Sequence, residues 1–182
     1  MKKTSTVLYI LRLTLTLLVI TGTMAAALAG VNAVTAPRIA ASAAEKTQQA
    51  VSAVLPGGGS PVAFTDDTGT VSQVYGSDTG YAVEVTPQGF GGAVTMMVGI
   101  DKEGKVLDIR IISHAETPGL GAVAAGNNAA GQTFRAQFAG LSGIVAVDKD
   151  GGEVIPLTGA TITSRAVCAG VNAALDCVAN LG

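Results

Sequence analysis

A chain of 182 residues has room for one domain of about 100–150 residues and an appendage. With 48% hydrophobic and 13% charged residues it is too apolar to remain disordered. A net charge of −2, no Trp, 4% aromatic residues and no basic run beyond Lys2-Lys3 exclude a nucleic-acid surface.

The appendage is N-terminal. No charged side chain occurs from Leu13 to Pro37, a run of about 25 residues where about 20 suffice to span a bilayer. Lys2, Lys3 and Arg12 precede the run, whereas acidic residues outnumber basic ones after it. By the positive-inside rule, residues 1–37 form a cytoplasmic N-terminus and one membrane-spanning helix, and all that follows is extracytoplasmic. Ala27-Leu28-Ala29 resembles a signal-cleavage site, but the apolar stretch is longer than a signal h-region. A retained single-pass anchor in membrane lipid is expected.

Residues 38–60 form a juxtamembrane helix and linker. Ile39, Ala43, Ala50, Val51, Val54 and Leu55 keep a helical spacing, and Pro56-Gly57-Gly58-Gly59-Ser60-Pro61 breaks it. That glycine run lacks the Lys-Ser/Thr of a phosphate loop and reads as a linker. The domain proper is then 61–182.

Within it, Val71–Tyr75, Tyr81–Val85, 93–100 and 105–112 are short β-rich segments. Turn signals at Asp66-Asp67-Thr68-Gly69, Thr86-Pro87-Gln88-Gly89 and Asp101-Lys102-Glu103-Gly104 separate them, the pattern of an antiparallel meander. Tyr81, Val83 and Val85 fall on one face, Ala82 and Glu84 on the other, as in a half-buried sheet. The segment 93–100 is nearly all apolar and belongs in the interior of the sheet.

Ser113-His114-Ala115-Glu116-Thr117-Pro118-Gly119-Leu120-Gly121 comes next. Pro then Gly suits the central positions of a type II turn. The turn leaves Leu120 between two glycines, poorly placed for a core and well placed for contact with a planar ligand. His114 is the only histidine; with no second His or Cys ligand beside it, loop anchoring is the expected role. Residues 122–139 are helical with breaks at Gly126 and Gly131, and Phe134 and Phe138 share a face. Strands are expected at Ile144–Val147 and 153–157. Cys168 and Cys177, about 13 Å apart along one helix, cannot bridge and serve as buried fillers.

The last segment begins at Thr158-Gly159-Ala160-Thr161-Ile162-Thr163-Ser164 and continues as an apolar-periodic helix from Arg165 to Leu181. Three hydroxyls crowd the helix start, where unpaired N–H groups and the helix dipole favour an anion such as phosphate. The same residues would also serve as an ordinary N-cap.

Two of these stretches carry a resemblance. Thr158-Gly159-Ala160-Thr161 is similar to the (Ser/Thr)-Gly-Ala-Thr motif of the FMN-binding domains of Rnf and Nqr respiratory complexes. The loop from His114 to Gly121 resembles the His-x-Glu-Thr-Pro-Gly-Leu-Gly loop of the same family. The family usually has Asp three positions before the first hydroxyl, where this chain has Ile155. The resemblance implies an α+β fold: a single transmembrane helix followed by a twisted antiparallel sheet flanked by helices.

It also implies FMN joined covalently through its phosphate to Thr161 by a dedicated flavin transferase. Thr158, Gly159, Ala160, Thr163 and Ser164 would surround the attachment, with Glu116, Thr117, Pro118, Gly119, Leu120 and Gly121 on the other side. No catalytic residue and no metal are implied, which agrees with the lack of any acid–base or nucleophilic constellation. The order of motifs resembles the G subunit of Rnf complexes first and the C subunit of Nqr second. An Rnf-type protein of this kind would pass electrons among membrane and iron–sulfur or flavin partner subunits, coupling ferredoxin:NAD+ oxidoreduction to Na+ or H+ movement. A flavin-free, membrane-anchored scaffold domain is the alternative from another class.

Overall fold

The computed structural model describes residues 3–65 and 69–181. Three residues of the turn expected at 66–69 therefore lie outside it. The chain divides into two compact units, Met1–Glu45 and Lys46–Gly182.

Helix α1 (Lys3–Val54) runs through the first unit, and its last residues belong to the second. It contains an 18-residue window of mean hydropathy 1.9, none of it buried, and is long and apolar enough to cross a bilayer. Its threonines suit that setting: Thr14, Thr16, Thr21, Thr23 and Thr35 each donate to the carbonyl four residues back, at 2.8–2.9 Å. No hydroxyl of these is left to be desolvated unpaired. Pro37 lies inside the helix, where its missing N–H leaves the Ala33 carbonyl without an intrahelical donor.

The second unit is built on a five-stranded antiparallel sheet in sequence order, β1 (Ser60–Pro61), β2 (Val71–Gly76), β3 (Gly80–Val85), β4 (Thr95–Asp101) and β5 (Val106–Ser113). The last four sit within a residue or two of the expected segments, because alternation and turn chemistry agree there. β1 falls at the end of the expected linker: Ser60 and Pro61 pair with Gly76 and Tyr75. Val83 sits opposite Val98, and Val98 opposite Ile109, so one face presents a continuous apolar band. Helix α2 (Ala129–Ala136) and helix α3 (Thr161–Ala179) cover that face. Phe134 and Phe138 meet edge to face at 5.4 Å, both buried with Val167 and Val171.

The sheet is not half-buried, as the alternation suggests. Ala82 and Met97 on the other face are fully buried beneath Ala50, Val51, Val54 and Leu55 at the end of α1. Gly99 permits this, since a Cβ there would collide with the Val54 carbonyl. The expected strands at Ile144–Val147 and 153–157 do not form. Only one bridge, Val147 to Val154, joins them, and Ile144 is 93% exposed.

Candidate functional site

The two motif loops meet. Each makes a tight turn with glycine at positive φ in its third position. In Thr117–Leu120 the Leu120 N–H donates to the Thr117 carbonyl at 3.1 Å, with Gly119 at φ 78°. In Leu157–Ala160 the Ala160 N–H donates to Leu157 at 2.9 Å, with Gly159 at φ 74°. The type II geometry expected of Pro118-Gly119 is thus present and repeated. Between the loops lies a cleft of about 340 Å³, lined by Glu116, Thr117, Leu120 and Gly121 on one side. Gly159, Ala160, Thr161, Ile162 and Thr163 line the other, and Phe90 the rim. Its size is at the low end for small-molecule sites. A larger groove of about 630 Å³, near Asn172 and Asp176, contains none of the motif residues.

Helix α3 starts at the cleft. Its N-cap is Ala160, whose side chain makes no capping bond, so the ordinary N-cap reading of the hydroxyls does not hold. The Ser164 N–H is the first to find an intrahelical partner, the Ala160 carbonyl at 3.0 Å. The N–H groups of Thr161, Ile162 and Thr163 precede it and have no such partner.

The three hydroxyls have different fates. Ser164 Oγ, fully buried, donates to the Ala160 carbonyl and accepts from the Leu157 N–H, both at 3.0 Å. Thr163, 2% exposed, donates to Glu116 Oε2 at 2.5 Å. Thr161 is half-buried on the cleft, and its hydroxyl has no partner among the described residues. Thr158 is exposed at the turn, one residue before Gly159.

Glu116 is 6% exposed and ties the site together. Oε1 accepts from the Gly91 N–H at 3.0 Å while Oε2 accepts from Thr163. Its own N–H donates to His114 Nδ1 at 3.3 Å, the loop-anchoring role expected of that histidine. A Cβ at Gly121 would collide with Thr163 and Glu116, and one at Gly89 with the other carboxylate oxygen. In the second turn of α3, Arg165 donates from Nε and Nη2 to Asp150 at 2.6 and 2.7 Å, holding the 148–152 turn beside the helix start. That bond and charge pull the Asp150 carboxyl below its ordinary range.

Three large apolar side chains stand exposed around the cleft: Phe90 at 68%, Ile162 at 51% and Leu120 at 44%. The sequence reading singles out only Leu120. Phe90 carries a signal too, an aromatic flanked by glycines in Gly89-Phe90-Gly91-Gly92, where nothing nearby could bury it. Ile162 carries none, being one apolar residue in an apolar helix.

Competing chemistries find little here. Burial pushes the Cys168 thiol up to about 11, which disfavours its thiolate at neutral pH, and both cysteines are buried outside any disulfide. Among the described residues no three His, Cys, Asp or Glu side chains gather as a metal site.

Residues 89–176 match the FMN-binding domain family. The match takes in 88 of the 182 residues of the chain. It opens immediately before Phe90 and contains both loops of the cleft. Relatives include the G subunit of a proton-translocating ferredoxin:NAD(+) oxidoreductase complex from Clostridium ljungdahlii, 43% identical over 100 residues, 53% of this chain and 51% of the relative. The G subunit of a Na(+)-translocating ferredoxin:NAD(+) oxidoreductase complex from Acetobacterium woodii is 38% identical over 114 residues, 58% and 52% of the two chains. Its counterpart in an ion-translocating oxidoreductase complex from Stutzerimonas stutzeri is 37% identical over 107 residues, 56% and 46%. The chain thus spans about half the length of these relatives.

The cleft in this matched region carries groups that suit FMN. The open amides at the α3 terminus suit a phosphate. The exposed Phe90, Leu120 and Ile162 suit the apolar faces of an isoalloxazine ring.

Proposed function

We propose that FMN occupies the cleft and is joined through its phosphate to Thr161 Oγ1, and that the chain is the G-type electron-carrying subunit of an ion-translocating oxidoreductase complex. One observation carries the attachment. Of the three hydroxyls at the start of α3, Thr163 and Ser164 are buried and engaged, while Thr161 alone offers a free oxygen to the cleft. A phosphoester there would place the phosphate beside the unpaired N–H groups of the first turn, where the helix dipole favours an anion.

The flavin supplies the redox chemistry; the protein holds it, shields it and tunes it. A covalent bond also suits a cofactor outside the cytoplasm, where one held by weak contacts alone would be diluted away. The names of the relatives favour this assignment over an Nqr-type C subunit. Partners would be the other membrane and redox subunits of the complex, with a flavin transferase acting once in maturation. Lys2, Lys3 and Arg12, ahead of the uncharged run from Leu13, support a cytoplasmic N-terminus and an extracytoplasmic domain.

Two measurements test these statements. Thr161→Ala should lose the FMN mass and the in-gel fluorescence of the denatured chain, whereas Thr163→Ala and Ser164→Ala should retain both. Persistence of the flavin in Thr161→Ala would move the attachment. A cysteine placed at Ser60, which is exposed, should react with a membrane-impermeant thiol reagent on intact cells. Labelling only after lysis would put the domain in the cytoplasm.

A further inference from the structure

We propose that Glu116 sets the reduction potential of the flavin, holding it low with an unneutralised buried charge in the cleft floor while fixing the cleft walls. This rests on the reading that FMN occupies the cleft.

The charge follows from the bonding pattern. Each carboxylate oxygen accepts, Oε1 from an amide N–H and Oε2 from a hydroxyl. A protonated Oε2 donating to Thr163 would leave that buried hydroxyl's own hydrogen without an acceptor among the described residues, whereas an ionised carboxylate satisfies both groups. The ion pairs among the described residues, Arg110–Asp108 and Arg165–Asp150, do not involve Glu116. It is compensated by dipoles alone: the Gly91 N–H, the Thr163 hydroxyl, and the N-terminal turn of α3 to which Thr163 belongs. At 6% exposure, water screens it little. A fixed negative charge lining the cavity opposes electrons added to whatever the cavity holds.

The surrounding residues make room for it. Gly89 crowds Oε1 and Gly121 crowds Oε2, so closely that an alanine at either position would displace the carboxylate. An apolar floor would need neither glycine. The same two bonds also position the site: the Gly91 bond anchors the loop bearing Phe90, and the Thr163 bond anchors the helix bearing Thr161. Position and charge are therefore vested in one residue, and separable by substitution.

The experiment uses the full-length, FMN-loaded protein. Intact mass counts the flavin, and a spectroelectrochemical titration gives its midpoint potential. Glu116→Gln keeps the shape and removes the charge. It should retain the covalent flavin and shift the reduction equilibrium at least tenfold toward the reduced form, about 30 mV for a two-electron couple. Thr163→Val keeps the carboxylate and removes one of its donors, so it should shift the equilibrium toward the oxidised form. Opposite signs in the two variants support the proposal, because a merely loosened cleft would move both the same way. A Glu116→Gln equilibrium within threefold of the unaltered protein overturns it, as does a shift of both variants toward the reduced form. Should Glu116→Gln lose its flavin, Thr163→Val decides: a shift toward the oxidised form upholds the proposal and any other result overturns it. Absence of flavin from the unaltered protein would instead fail the reading beneath the inference, and the inference with it.

Discussion

Leu120 is the residue where exposure and position disagree most. It is an aliphatic side chain, 44% exposed, directly after a turn whose glycine has φ 78°. It also lies on two cavities, the cleft and a neighbouring one of about 470 Å³ that reaches Ile155 and Thr158. A core leucine would cost about 2–5 kcal/mol to truncate. Leu120→Ala should cost only about 1–1.5 kcal/mol, because nearly half of the side chain is already exposed. Attachment at Thr161 should persist in that variant, while the flavin absorption band and potential should move as water reaches the ring. If neither moves, the ring lies elsewhere. The motif is legible here because its fixed residues are chemically constrained, with Pro118 and Gly119 by turn geometry and Gly121 by the carboxylate behind it. Phe90 is easily overlooked because its loop looks like nothing more than a turn.

At the scale of elements, four strands can be read from their alternation, and two expected strands are an error with a physical cause. Ile144–Val147 and 153–157 are short and rich in β-branched residues, as strands are, yet no strand lies beside them. Side-chain amides take that place. Asn172 of α3 accepts from the Val145 N–H at 2.8 Å and donates to its carbonyl at 2.9 Å. Gln137 accepts from the Ile155 N–H at 2.8 Å and donates back to its carbonyl at 3.2 Å. A sequence pattern cannot tell a ladder from such a substitute.

The covered outer face of the sheet is hidden from the sequence for a related reason, since residues 46–55 look like a continuation of the membrane helix. That cover has a pH signature. Glu84 lies half-buried beneath it, 3.5 Å from the donating Thr47 hydroxyl, and burial raises its pKa despite that bond. A carboxyl with a raised folded pKa favours the protonated native state. Its stabilising contribution is present below the unfolded value and fades as pH rises through the folded one. Glu84→Gln should therefore stabilise the domain at pH 7 relative to the parent, with the advantage shrinking toward pH 4. Urea denaturation at the two pH values would check it, and an equal change at both would remove Glu84 as the cause.

For the whole molecule, the break at Pro56-Gly57-Gly58-Gly59 is a misleading place to cut. Val51, Val54 and Leu55 before it are 1%, 1% and 0% exposed. Burying each is worth about 1.5–3 kcal/mol, so together they approach the whole stability of a typical domain, about 5–15 kcal/mol. A chain beginning at Lys46 should fold cooperatively, and one beginning at Pro56 should be unfolded or lose most of its stability. Circular dichroism melts of the two would decide; equal melting temperatures would deny the helix end its structural role.

The sheet order, β1 to β5 without a crossover, has a consequence for synthesis. As the chain leaves the ribosome, each strand meets a partner that is already out, and the helix end that roofs the outer face precedes them all. Pairings this local in sequence close small loops and form quickly. Helix α3 follows all five strands in the chain, and it brings Thr163 to Glu116 and sets Thr161 on the cleft. The Thr161 hydroxyl thus takes its place on the cleft only after every strand of the sheet has been made, and a flavin joined there would be a chemical record of a sheet already assembled.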